Sequence, residues 1–293
     1  MGPGKEQIRL LTPGDIRAVE RLLNTSEYVY QRFTLEELPN QLKYYPAVGA
    51  FHGNSLYGFL LSQVLSIPCA WIGGFGVSWT ESTRYLDILY RLLEQLASQL
   101  ILRGVRYLHY SGNDAEHDWL RAKLLTRGFM PYRQLYAYDK FDFNIPTHGN
   151  QQVRVRPVNL PRTPLSGDTP ALLAIESACF EDLWRYDSTA FAIIAETHPY
   201  FVVAELNGQV VGYQFNAIDA DSGYLVRIAV HPSVSGLGIG ARLMAEAIRF
   251  FTQARVARIM LNTQDNNTHA HRLYEWFGFF RIKQIGFVLR EYL

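Results

Sequence analysis

Ile228-Ala229-Val230-His231-Pro232-Ser233-Val234-Ser235-Gly236-Leu237-Gly238-Ile239-Gly240-Ala241 carries an apolar strand into a Pro- and Gly-rich turn. Leu243, Ala247, Ile248 and Phe251 then recur at helical spacing, so a helix leaves the turn. Such a strand–turn–helix aims free backbone N–H groups, and the positive end of the helix, at one anion. Glycine is needed where a side chain would hold the anion off the backbone. No Lys-Ser or Lys-Thr follows the last glycine, which excludes an NTPase phosphate loop. There is no third glycine at dinucleotide spacing and no acidic residue about 20 positions on, which argues against a Rossmann site.

A second cluster lies downstream: Asn267-Thr268-His269-Ala270-His271-Arg272-Leu273-Tyr274-Glu275-Trp276-Phe277-Gly278-Phe279. Together the two clusters resemble the GNAT superfamily of acyl-CoA-dependent N-acyltransferases. Members carry Q/R-x-x-G-x-G/A after the fourth strand, and Ser235-Gly236-Leu237-Gly238-Ile239-Gly240 fills that pattern. They also carry N-x-x-A-x-x-L-Y-x-x-x-G-F, which Asn267, Ala270, Leu273, Tyr274, Gly278 and Phe279 match position for position. Ser235 departs from the family's Gln or Arg. The family contact there is mainly through backbone N–H, so the departure bears on affinity more than on function.

Bulk composition sets limits. Of 293 residues, 48% are hydrophobic and 19% charged, enough apolar chain for two domains with real cores. A net charge of +1 gives no electrostatic case for nucleic acid or an anionic membrane. Cys69 and Cys179 are the two cysteines and have no metal-ligand spacing, so neither a disulfide framework nor a metal is expected. The uncharged stretch between Lys43 and Glu81 is broken by Gly58, Gln63, Pro68, Gly73, Gly74 and Gly76. It reads as short buried strands rather than a span of about 20 apolar residues. With no export signal, the expectation is a cytoplasmic protein, a monomer or homodimer.

The chain is written twice. Ala50-Phe51-His52-Gly53-Asn54-Ser55-Leu56-Tyr57-Gly58-Phe59 parallels Ala204-Glu205-Leu206-Asn207-Gly208-Gln209-Val210-Val211-Gly212-Tyr213 without a gap, each as a hairpin. Gly128-Phe129 and Gly278-Phe279 both open a β-rich run that closes a half. The expected division is a first domain over 1–143, a linker over 144–152 and a second domain over 153–293. The order of elements implies an α/β (α+β) fold of two tandem GNAT-like domains. Each is a mixed, mostly antiparallel sheet flanked by helices, similar to the two-domain mycothiol synthase type. In the first half the phosphate turn is replaced by Trp79-Thr80-Glu81-Ser82-Thr83-Arg84-Tyr85-Leu86-Asp87, with Leu124 opposite Tyr274. Glu81 and Asp87 would repel a pyrophosphate, and Ser82 or Thr83 reads as a helix N-cap.

By resemblance, the second half holds acetyl-CoA. Ser235, Gly236, Leu237, Gly238, Ile239, Gly240 and Ala241 cradle the pyrophosphate. Ile228, Ala229 and Val230 pair with the pantetheine arm, and Asn267 caps its helix or touches the cofactor. Tyr274 is the acid that protonates the departing thiolate. The general base stays open. Strand alternation places Tyr224, Val226, Ile228 and Val230 on one face, so Tyr224 holds the family's base position. Asp219, Asp221 and a water relay are the alternatives. Arg227, alone in an apolar strand, pairs with a substrate carboxylate or with an internal acid. Trp184 and Tyr186 belong to the segment that lines the acceptor site in the family. The implied reaction is direct attack of a primary amine on acetyl-CoA, the acceptor being a small-molecule amine or a protein N-terminus. Phe180-Glu181-Asp182-Leu183-Trp184 is similar to the acceptor loop of ribosomal-protein alanine acetyltransferases. The alternative is a non-catalytic acyl-CoA sensor or interaction module.

Overall fold

A computed structural model describes residues 6–113, 116–160 and 167–293. The chain forms two compact units, one of Met1–Tyr132 with Phe287–Leu293, the other of Arg133–Gly286.

In the first unit the elements are β1 (Glu6–Leu10), α1 (Ile16–Thr25), β2 (Tyr28–Gln31), α2 (Leu38–Tyr44), β3 (Ala47–His52), β4 (Ser55–Ser66), β5 (Cys69–Val77), α3 (Tyr85–Ile101), β6 (Tyr107–Gly112), α4 (Trp119–Arg127) and the start of β7 (Met130–Lys140). Its sheet runs β1-β3-β4-β5-β6, antiparallel except for β5 and β6, and β2 also pairs with β5. Helices α3 and α4 cover one face, and α1 and α2 the other. Ser82 and Thr83 lie inside a 3-10 turn over Trp79–Arg84, and the helix starts only at Tyr85 without a side-chain cap.

The second unit repeats the order with β8 (Arg154–Pro157), α5 (Thr169–Cys179), α6 (Ser188–Thr197), β9 (Tyr200–Leu206), β10 (Gln209–Asp219), β11 (Ser222–Val230), α7 (Ile239–Gln253), β12 (Arg258–Gln264), α8 (Thr268–Trp276) and most of β13 (Phe280–Tyr292). Asn207 and Gly208 both take positive φ, 52° and 79°, as a two-residue hairpin turn demands. One face of the sheet packs on α7, whose Leu243, Met244, Ala247, Ile248 and Phe251 are all buried. Gly223 makes room for that helix: a Cβ there would sit 2.4 Å from the Phe251 ring. Truncating Phe251 would cost about 3–5 kcal/mol. The other face packs on α5 and α6 through Leu172, Ile175 and Phe191.

The units and the sequence halves part company over one strand each. Residues 135–140 of β7 pair antiparallel with β12 in the second unit. Phe287–Tyr292 of β13 pair antiparallel with β6 in the first. Each closing strand therefore serves the sheet of the other half.

Candidate active site

The site forms where β11 loses a neighbour. On one side β10 follows β11 along its length, from Ser222 to Val230. On the other, β12 pairs in parallel only with Ser222–Tyr224. From Leu225 to Val230 that edge has no strand beside it among the described residues. Buried backbone groups left this way need a partner. The Val230 carbonyl has one in the Cys179 thiol, at 3.2 Å. Burial pushes that thiol up to about 11, so it stays protonated at neutral pH.

Beyond Val230 the chain turns before entering α7. Gly236 and Gly238 hold φ of +79° and +73°, and α7 starts at Ile239. Open space lies above the Gly236 Cα, where a Cβ would meet nothing within 4 Å. Ser235 N donates to Pro232 O, and Arg242 N to Gly238 O. Between them the N–H groups of Gly236, Leu237, Gly238, Ile239, Gly240 and Ala241 have no acceptor among the described residues. Such consecutive donors at a helix N-terminus fit a pyrophosphate.

A groove of about 560 Å³ joins this turn to the open edge of β11 and to α8. Its walls include Ile228, Ala229, Val230, Ser235, Gly236, Gly238, Ile239, Gly240, Ala241, Asn267 and Tyr274. Leu237, half-exposed, is not among those walls. Asn267 both lines the groove and caps α8, accepting from Ala270 N at 3.3 Å. Tyr274 is buried at the groove wall, its ring edge-on to Tyr138 at 5.8 Å. Burial drives its pKa well above the ordinary phenol value, the Tyr138 phenol adds to the rise, and Arg227 opposes it. The phenol thus keeps its proton at neutral pH, the state an acid needs. Tyr138 is fixed in turn by His271, whose Nδ1 lies 2.6 Å from the Tyr138 hydroxyl while Nε2 lies 3.0 Å from Gln264 O. A carbonyl only accepts, so Nε2 carries the ring proton and Tyr138 donates to Nδ1.

Arg227 is committed internally. Its guanidinium donates to both Glu176 oxygens at 3.0 Å and to Trp184 O at 2.9 Å, and lies 4.0 Å from the rings of Phe180 and Tyr186. Glu176 is 1% exposed and also accepts from Tyr213 OH and Tyr186 N. This buried cluster fastens the α5–α6 connection to β11. The sequence carried a signal for it, an acid on the apolar face of α5 beside Leu172 and Ile175. Trp184 lines a smaller pocket of about 170 Å³, with Cys179, Phe180, Glu181, Gln264, Asn266 and Asn267. Tyr186 lines neither cavity.

Tyr224 also lies outside both cavities, at the end where β11 and β12 still pair. The expected alternation fails because of a β-bulge at Val226: Phe215 faces Arg227 while the next residue, Asn216, faces Leu225. Gly223 and Leu225 therefore share the α7 face with Ile228. Tyr224 is not on it.

The expected linker carries structure too. Asn150 N donates to Gly238 O at 3.2 Å, and Asn150 Nδ2 to Leu237 O at 2.9 Å. Gly149, at φ +64°, lies so close that a Cβ would stand 2.2 Å from Arg242 N. Both loop carbonyls are thus held on the linker side.

Residues 169–279 match the acetyltransferase (GNAT) family. Those residues are similar to a GNAT domain. Over 111 residues it is 26% identical to a putative ribosomal protein bS18-alanine N-acetyltransferase of Bacillus subtilis, covering 38% of this chain and 74% of that one. Over 80 residues it is 31% identical to the mycothiol acetyltransferase of Thermomonospora curvata, 27% of each chain. The chain thus spans only about a quarter of that relative's length. The tandem GNAT protein from the clavulanic acid biosynthesis pathway shares the fold, with a TM-score of 0.58 and 11% identity over 98% of both chains. The likeness of residues 169–279 to the GNAT family supports transfer of an acyl group from acetyl-CoA to an amine in general.

The first unit lacks the GNAT groove for a reason the sequence reading missed. There, β5 and β6 also pair only briefly, at Cys69–Trp71. The edge that β6 vacates is taken by β2, with Tyr28 to Gln31 against Val77 to Gly74. The slot that stays open beside β11 is filled here by the chain itself. Gly74 permits it, since a Cβ there would sit 2.8 Å from the Phe33 ring and 3.4 Å from Tyr30 O. Glu81 and Asp87 are partly offset by Arg84 and Arg91 in a cluster with Glu6, so the filled edge adds a steric block to what charge remains. No described helix is long and apolar enough to cross a membrane. Among the described residues no group of three His, Cys, Asp or Glu is placed to hold a metal.

Proposed function

We propose that the second unit transfers an acetyl group from acetyl-CoA to a primary amine by direct attack, without a covalent enzyme intermediate. The observation that carries this reading is the set of six uncommitted amide N–H groups set beside an open strand edge and a buried, protonated tyrosine. When bound, acetyl-CoA supplies the activated thioester. Gly236 to Ala241 bind its pyrophosphate, and the edge of β11 binds the amides of its arm. Asn267 borders both the groove and the 170 Å³ pocket. In the proposal that pocket takes the acceptor amine, and Glu181, the one carboxylate among its described lining residues, receives the ammonium proton through water. The amine nitrogen bonds to the carbonyl carbon, the carbon–sulfur bond breaks, the sulfur takes its proton from the Tyr274 hydroxyl, and the second proton lost by the nitrogen restores that hydroxyl through water. Tyr224 has no part in this scheme. The pocket's size favours a small amine or the first residue of a protein N-terminus.

Acetyl-CoA consumption with a panel of small amines and N-terminal peptides tests the reading. Free CoA should appear with at least one acceptor, and binding should saturate at one equivalent per chain. Binding without CoA release across the panel would favour the sensor reading. A second equivalent would place a cofactor where β2 lies.

A further inference from the structure

With its cofactor slot filled, the first unit still holds a cavity of about 570 Å³, as large as the GNAT groove. It opens beside β2 and is lined by Tyr30, Arg32, Ser111, Asp118 and Trp119 among others. Most of its polar groups are already committed. Tyr30 OH donates to Ser111 O at 2.9 Å, and Gln31 Nε2 to Phe33 O at 2.6 Å. Asp118 accepts Tyr110 OH on both oxygens, at 2.8 and 2.7 Å, and Arg121 N at 2.7 Å. That carboxylate is turned to its own helix and to Tyr110.

Arg32 is the exception. Its backbone N–H is fixed on Gly73 O at 2.9 Å, and its guanidinium stacks 4.0 Å from the Trp71 ring. No oxygen among the described residues accepts from that guanidinium. Burial lowers its pKa from the ordinary arginine value, as expected of a cation short of anionic partners. A guanidinium held over an aromatic ring without an oxygen partner has N–H groups free to take a carboxylate in bidentate fashion. The lining is mostly polar, with Val29, Tyr30 and Trp119 among its residues. The volume is in the range of small-molecule sites, about 300–1,000 Å³.

We propose that this cavity is a binding site for a small carboxylic acid, its carboxylate seated on Arg32. The site is separate from the acetyl-transfer chemistry and does not depend on it. Titration calorimetry with benzoate, and with benzamide as the neutral match, tests the assignment on the full chain. Benzoate should bind and benzamide should not. Arg32→Gln should weaken benzoate at least about tenfold, as loss of a charge-assisted pair implies. Arg32→Lys, which keeps the charge but loses the fork, should fall between. A thermal melt of each variant shows that the chain still folds. Equal binding of benzamide, unchanged benzoate affinity in Arg32→Gln, or no heat from benzoate at about 10 mM would each overturn the proposal. So would binding of a hexapeptide free acid without binding of benzoate, which would assign the site to a chain terminus instead.

Discussion

Asn150→Ala probes how the phosphate turn is held. The variant keeps the backbone bond from Asn150 N to Gly238 O but loses the one from Nδ2 to Leu237 O, 2.9 Å long. One such bond is worth about 0.5–1.5 kcal/mol net. Freed, the Leu237–Gly238 peptide can rotate, and the Gly238 N–H no longer points steadily into the groove. Acetyl-CoA affinity should then fall by about 2- to 12-fold, the same energy expressed through the dissociation constant. Acetyl-pantetheine, which lacks the pyrophosphate, should bind variant and wild type alike. Calorimetry with both donors measures the contrast, and a thermal melt checks that the fold survives. An equal loss for both donors would mean that Asn150 supports the fold at large rather than the turn. No loss for either would mean that the turn needs no brace.

Gly238→Asp should abolish acetyl-CoA binding, because it sets a carboxylate at the anion cradle and a side chain at φ +73°; calorimetry on folded protein reads this directly. Tyr274→Phe should cut turnover by about 10²–10⁴-fold with little change in acetyl-CoA affinity. The acid is active while protonated and burial raises its pKa, so wild-type activity should persist past the ordinary phenol value of about 10. A pH–rate profile falling well below that point would contradict it. Glu176→Ala leaves Arg227 buried without its anion and should cost about 3–5 kcal/mol in denaturant unfolding. Glu176→Gln, which still accepts from Arg227, should cost less.

Much of the second unit was legible because its signals are local. The Gly-rich turn, the hairpin at Asn207-Gly208 and the Asn267 cap each depend on residues within a few positions of one another. The bulge at Val226 is not local. It arises from pairing with Phe215 and Asn216, and one extra residue moves Tyr224 to the other face. The brace from Asn150 reads as a linker because nothing in Pro146 to Gln152 announces a partner some 90 positions away. Filling of the first unit's slot by β2 left a trace in Gly73-Gly74-Phe75-Gly76. Glycines in a strand mark close approach of another backbone, but not which one. Arg227 and Glu176 were each odd in their own element, and only the fold makes them a pair.

The exchange of closing strands bears on how the chain is made. A ribosome completes residues 6–132 first, yet β6 then has no strand along the edge that Phe287–Tyr292 later cover. The first unit must wait, with that edge exposed, until all of the second has been synthesised. The second finds β7 ready, because the strand that pairs with β12 precedes it in the chain. Vectorial synthesis therefore favours maturation of the second unit before the one that is translated first. Removing Phe287–Leu293 should damage the early unit and leave β7–β12 pairing intact, and the bare β6 edge would be the place where such a truncated chain aggregates.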